Sequence, residues 1–127
     1  MKAESVAEAQ AIPRKFLDNI LQGLRQAGIV ESRRGPEGGH RLARPAGEVA
    51  IADVIRAIDG PLANVGGRSP DGVAFPGPAA SLREVWVAVR ASLREVLETV
   101  TLADVASGAL PAHVAELTAL PGAWERR

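Results

Sequence analysis

The spacing of apolar and polar positions divides the chain into short helical stretches around one hairpin. Residues 3–10, AESVAEAQ, are rich in Ala and Glu and read as a short helix with Val6 as its one large apolar anchor. Pro13 disfavours helix at Ile12 and suits the first turn of a new helix, so a break of about three residues follows. The second helix is expected from about Pro13 to Ala27. Phe16, Leu17, Ile20, Leu21 and Leu24 form one apolar face, Arg14, Lys15, Asp18, Asn19 and Gln22 lie opposite, and Gly28 supplies the stop. Ile29, Val30, His40 and Leu42 are strand residues on either side of Gly-Pro-Glu-Gly-Gly, which predicts a β-hairpin ended by Pro45 and Gly47. Ile51, Val54, Ile55 and Ile58 recur at helical spacing and predict a third helix over Ile51 to Asp59, closed by Gly60-Pro61.

Residues 61–80 are rich in Gly and Pro and have no period. A loop of that length in a compact domain either carries function or joins two parts. A long helix is expected from about Leu82 to Val105, with Ser81 and Glu84 as a capping box. Leu82, Trp86, Val89, Leu93, Val96, Val100 and Ala103 alternate in steps of four and three, a heptad seam, and LREV recurs at 82–85 and 93–96 on one face. The seam packs either on the chain's own helices or on a second copy. The second is favoured, because the rest of the chain is small for covering it. AHVAELTAL, 112–120, predicts one more short helix before a loose end. The expected organisation is a DNA-binding region over 1–60, a loop or sensing segment over 61–80, and a dimerisation helix with its tail over 81–127.

Composition narrows the picture. Of 127 residues, 46% are hydrophobic but only 3% aromatic, so the core must be aliphatic, which suits helix packing. The absence of Cys excludes disulfides and any cysteine-ligated zinc or iron–sulfur site. His40 and His113 have no carboxylate cluster beside them, and no metal site is read. No stretch reaches the apolar length of a membrane span and no signal-peptide pattern opens the chain, so a cytoplasmic protein is expected. Net charge is zero, yet residues 1–45 hold eight cations against five carboxylates, a local +3. A basic first third on a neutral chain points to an anionic partner there, although chance asymmetry would look the same.

Helix, short turn, helix and basic-tipped hairpin is the order of a winged helix-turn-helix. The second helix of such a motif lies in the major groove with its N-terminal residues at base edges. Arg14, Lys15, Asp18 and Asn19 hold that place here. Arg forks onto guanine, Asn onto adenine, Asp accepts from cytosine, and Lys15 equally suits a phosphate. A wing lays its backbone along the sugar-phosphate surface, which Gly35 and Gly39 permit. Arg33, Arg34 and Arg41 then neutralise phosphates or enter a narrow minor groove, and His40 packs or reaches a phosphate. Glu37 opposes this and has to point away. The rival reading of the tip as a phosphate-cradling nucleotide loop lacks its Gly-Lys-Ser/Thr ending. No nucleophile–base pair or paired catalytic carboxylates support an enzyme.

The stretch IPRKFLDNILQGLRQAGIVESRRGPEGGHRLARP, with VIRAIDGPL and LREVW…TLADV after it, closely resembles the Rrf2 family of bacterial transcription regulators up to about Val105. The resemblance implies a mainly α fold with a hairpin wing, a homodimer held by the long helix through Leu82, Trp86, Val89, Leu93, Val96 and Val100, and a palindromic double-stranded DNA operator. By position it implies Arg14, Lys15 and Asp18 in the major groove and Arg34 with its neighbours in the minor groove. The expected function is a dimeric regulator, a repressor. The alternative is a shortened interaction module that keeps the dimerisation helix and does not bind DNA alone. A small-molecule effector has room in loop 61–80, though nothing there names one.

Three departures carry expectations of their own. Many members hold an iron–sulfur cluster through cysteines in the loop before the long helix, and residues 61–80 have none, so a cluster-free member is expected. The family's wing ends in Gly-Gly-Tyr where this one has Gly38-Gly39-His40. Members carry a further helix ahead of the two short ones, so either a shortened form or a misassigned start is expected, and without that helix Val6, Phe16, Ile20 and Leu24 lack a cover. Ala11 stands where a turn glycine is common; a positive φ there would cost about 1 kcal/mol.

Overall fold

The computed structural model describes residues 1–127. Helices α1 (Ala3–Gln10) and α2 (Arg14–Gln26) lead into strands β1 (Val30–Arg33) and β2 (Gly39–Leu42). Helices α3 (Ile51–Asp59), α4 (Leu82–Leu97), α5 (Leu102–Ser107) and α6 (Ala112–Thr118) follow. The strands pair antiparallel, with Val30 opposite Leu42 and Arg33 opposite Gly39. The fold is therefore mainly helical with one hairpin, as the residue spacing predicted.

Helix α1 ends on Ala11, which sits in the left-handed region at φ 52° and ψ 42°. That turn, with Ile12 donating to the Ala7 carbonyl at 3.0 Å, swings the chain through Pro13 into α2. Ala3, Leu17 and Leu21 form the buried centre of the helix pair, with Val6, Ala7 and Ile12 packed around them. Of the four residues expected to be uncovered, Phe16 is 61% exposed while Val6, Ile20 and Leu24 are half-buried. Leu17 and Leu21 stack at i, i+4, and Phe16 lies one residue, roughly 100°, off their line. Helix α3 packs on the other flank of α2 at Gly23, where a Cβ would stand 3.3 Å from the Ala57 carbonyl oxygen. A glycine there lets the two backbones approach closely.

The long helix is broken. Helix α4 stops at Leu97, Glu98 and Thr99 form a turn, and Val100 and Thr101 run on beside residues 49–51. Ile51 donates to the Val100 carbonyl and Leu102 to the Val49 carbonyl, both at 2.9 Å. Val100 is therefore buried inside the chain and cannot belong to a docking face on α4, which corrects its assignment to the seam. Two local forces cause the break. A β-branched run, Thr99-Val100-Thr101, favours extended backbone. Thr101 and Asp104 then cap a new helix reciprocally: Asp104 N–H donates to Thr101 Oγ1 at 3.2 Å and Thr101 N–H to Asp104 Oδ2 at 2.9 Å. The box expected at Ser81 is absent, because Ser81 is already helical and Glu84 N–H bonds its carbonyl instead, at 3.1 Å.

Loop 61–80 is built rather than featureless. Val65 and Arg68 pair across Gly66-Gly67 through bonds of 2.8 and 3.0 Å. A single tight turn over Pro70–Gly72 then packs on α4, with Pro70 fully buried.

The core is thin. Nine residues are buried, and the chain exposes 9045 Å², where a compact monomer of 13.3 kDa exposes about 6,500 Å². Exposed apolar side chains lie along the C-terminal segment, where Leu110, Leu117, Leu120 and Trp124 are between 46% and 85% exposed, and along α4. Leu82, Val85, Trp86, Val89 and Leu93 lie on one stripe of α4 and are between 36% and 54% exposed.

Candidate nucleic-acid interface

The hairpin is fastened to the helix pair at both ends. At its base, Ile29 is buried and its N–H donates to the Leu24 carbonyl at 3.0 Å; further along, Arg25 Nη1 donates to Ser32 Oγ at 3.4 Å. Near its tip, Lys2 Nζ donates to the Gly35 carbonyl at 3.0 Å, and His40 N–H donates to the Met1 carbonyl at 2.7 Å. The wing thus takes its position from α1 and α2 and is not a free arm. The reversal itself rests on Gly38, whose N–H bonds the Gly35 carbonyl at 2.9 Å and whose missing Cβ would collide with the Arg33 carbonyl.

The expected site residues divide by what already holds them. Arg14 is committed: it pairs with Glu4 at 2.5 Å and with Asp18 at 2.9 Å. The bond from Arg14 holds the Glu4 carboxyl below its ordinary value, and Glu4 in turn, with Asp18, raises Arg14. Arg41 is committed to Glu31, its cross-strand neighbour. Lys15 and Asn19 on α2, and Arg33 and Arg34 on the wing, are exposed and make no side-chain bond within the chain. Glu37 is likewise exposed at the tip. His40 is half-buried and its Nδ1 faces no partner. Gly35 and Gly39 adopt φ of 110° and 141°, which side-chain-bearing residues rarely take. Arg33 and Arg34 on the wing and Lys15 and Asn19 on α2 are thus free groups of the kind that pair with phosphates or hydrogen-bonding edges.

Sequence reading missed Lys2 and Arg25 as wing anchors. Their partners lie 33 and 7 residues away, and no local periodicity connects them. It also missed Glu4 as the counter-charge that orients Arg14.

A model of the Rrf2 family, described as iron-dependent transcriptional regulators, matches residues 1–108. The chain is 54% identical over 117 residues to MT1325 of Mycobacterium tuberculosis, which carries a provisional name as an HTH-type transcriptional regulator; 92% of this chain and 73% of the relative are covered. It is 33% identical over 104 residues to the HTH-type transcriptional regulator CymR of Bacillus subtilis, covering 82% and 70%. The solved structure of CymR, the global cysteine regulator of B. subtilis, superposes with a TM-score of 0.71 at 30% identity, covering 85% of this chain and 78% of that one. A T. potens IscR structure gives 0.67 at 32% identity, covering 86% and 70%. The donor set here does not fit a cysteine-ligated iron site: there is no Cys, and the one carboxylate of loop 61–80, Asp71, is engaged by Ser69 and Arg90. No helix is long and apolar enough to cross a membrane.

Proposed function

The chain belongs to the Rrf2 family of transcriptional regulators, and from that premise we propose that it binds a two-fold symmetric DNA operator as a homodimer and represses transcription there. The observation that carries the DNA reading is the pair of free arginines, Arg33 and Arg34, on a wing fixed against α2. In this reading Lys15 and Asn19 enter the major groove directly. Arg14 and Asp18 enter as a preset pair, with Glu4 holding the guanidinium in place before DNA arrives. Gly35 and Gly39 bring the wing backbone to the sugar-phosphate surface, and Arg33 and Arg34 reach phosphates or the minor groove. Arg41 serves first to stiffen the hairpin through Glu31.

The dimer reading rests on the uncovered stripe of α4 and on the excess of exposed surface. Leu82, Trp86, Val89 and Leu93 are the contact residues in this reading, with Val85 added and Val96 at the edge. Val100 is excluded because the chain buries it.

The test is a titration of a pool of random-sequence duplexes at several salt concentrations. Arg34→Ala should weaken binding about tenfold near physiological salt and lower the salt slope by about 1. Unchanged affinity would remove the wing from the DNA surface. Cross-linking in the same samples separates the alternative: a dimer that ignores DNA under all conditions would identify an interaction module that pairs without reading DNA.

A further inference from the structure

Loop 61–80 is held to α4 by a closed triangle of polar bonds. Arg90 Nη1 donates to Ser69 Oγ at 2.9 Å and to Asp71 Oδ1 at 2.6 Å, while the Ser69 hydroxyl donates to the same Asp71 oxygen. Each donor has a distinct proton to give and each acceptor a free lone pair, so all three groups are satisfied together. Between the two loop residues stands Pro70, fully buried on α4. Arg90 is itself only 18% exposed. The Ser69 hydroxyl and the Arg90 guanidinium hold the Asp71 carboxyl far below the ordinary carboxylate range. The triangle therefore stays charged wherever the protein is folded in neutral solution.

We propose that Ser69, Asp71 and Arg90 form a latch that docks loop 61–80 on α4 and can open while the rest of the fold stays closed. Three features separate this from ordinary surface pairing. The bonds bridge residues 19 and 21 positions apart rather than neighbours on one helix. They close over a buried proline, so opening exposes apolar surface and is a discrete event. They also sit on the flank of α4 beside the apolar stripe, where Arg83, Val87 and Arg90 follow at i, i+4 and i+7. The latch thus holds the middle of α4, at Arg90, well before the backbone ladder at Val100 and Leu102. Its effect on DNA rests on the dimer reading above: releasing the loop lets the two DNA-reading surfaces change their separation. The latch itself does not depend on that reading.

Limited trypsin digestion of the full chain tests it. The Arg68–Ser69 bond lies at the edge of the latch and the Arg34–Gly35 bond lies on the wing, far from it in the chain. Arg68 and Ser69 are exposed even in the latched loop, but a protease needs several residues of free extended chain, so local opening speeds cleavage at the first bond and leaves the second as it was. Asp71→Asn and Arg90→Gln should each speed cleavage after Arg68 about tenfold relative to cleavage after Arg34, which corresponds to a tenfold larger open population. Arg90→Lys, which keeps one charged donor, should recover part of the protection. Unchanged cleavage after Arg68 overturns the proposal. So does equal acceleration at both bonds, which would mean that the triangle holds the whole fold and not the loop alone. Binding of Asp71→Asn to the random duplex pool then judges the consequence for DNA. Loss of loop protection with unaltered DNA affinity keeps the latch and overturns its coupling to DNA. A wild-type chain that binds no DNA sinks the functional reading above while the digestion still decides the latch.

Discussion

Arg14 and Arg34 look alike in the sequence and stand in different states in the fold. One is braced by two carboxylates before any ligand arrives; the other is bare. Basic charge over residues 1–45 was legible from composition, but which cations were spent internally was not. The partner of Arg14 across the turn, Glu4, lies on another helix, and helical spacing relates residues only within one helix. Removing that brace tests its role. Glu4→Ala should leave the fold intact and weaken duplex binding several-fold less than Arg34→Ala does, because Arg14 then has to be ordered by the DNA itself. Ala11 was legible as a position of backbone strain, and its φ of 52° bears that out. Ala11→Gly should stabilise the chain by about 0.5–1 kcal/mol, allowing for the extra freedom glycine gives the unfolded state. Urea denaturation reads this as a higher midpoint at constant slope.

At the scale of elements, local pattern located α1, α2, the hairpin, α3 and α6 closely, and failed at α4. The heptad steps ran on through Val100 and Ala103, and apolar spacing alone gives no sign that a chain has left the helix. The signal was present in another form. Thr101 with Asp104 three residues later is a capping box in mid-pattern, and the three β-branched residues before it resist helix. Thr101→Ala should destabilise by about 1 kcal/mol. The loss should show in hydrogen exchange as faster exchange of the first turn of α5, with α2 amides slowed as before. The triangle of Ser69, Asp71 and Arg90 was beyond sequence reading for a different reason. It joins a stretch without period to a helix that follows it, and only the turn over Pro70–Gly72 brings them together.

For the whole molecule, the thin core and the large exposed area are one fact. An apolar stripe left more than a third open to solvent is costly in water. Leu93→Glu should therefore abolish the proposed dimer in sedimentation at micromolar protein, and duplex affinity should fall with it, since each half then binds alone. Charge adds a dependence on acidity. Glu4 and Asp71 both titrate below their ordinary values in the fold. What they contribute is complete above the unfolded carboxylate range, about pH 4–5, and is lost as pH falls through the depressed values. In denaturation midpoints taken from about pH 6 downward, Asp71→Asn should lose less on acidification than the parent chain, because one of the two groups no longer takes up a proton.

The ladder that ends α4 has a mechanical consequence. It grips one end of a rod of 16 residues, about 24 Å long, by main-chain bonds that only proline at Ile51 or Leu102 would remove. The other end leans on side chains alone. A rod pinned at its root swings about that pivot, and ten degrees of play there would carry its tip through about 4 Å. That is comparable to the rise of a single base pair, so in the proposed dimer slight slack at one joint is enough to put two reading heads out of step along a duplex.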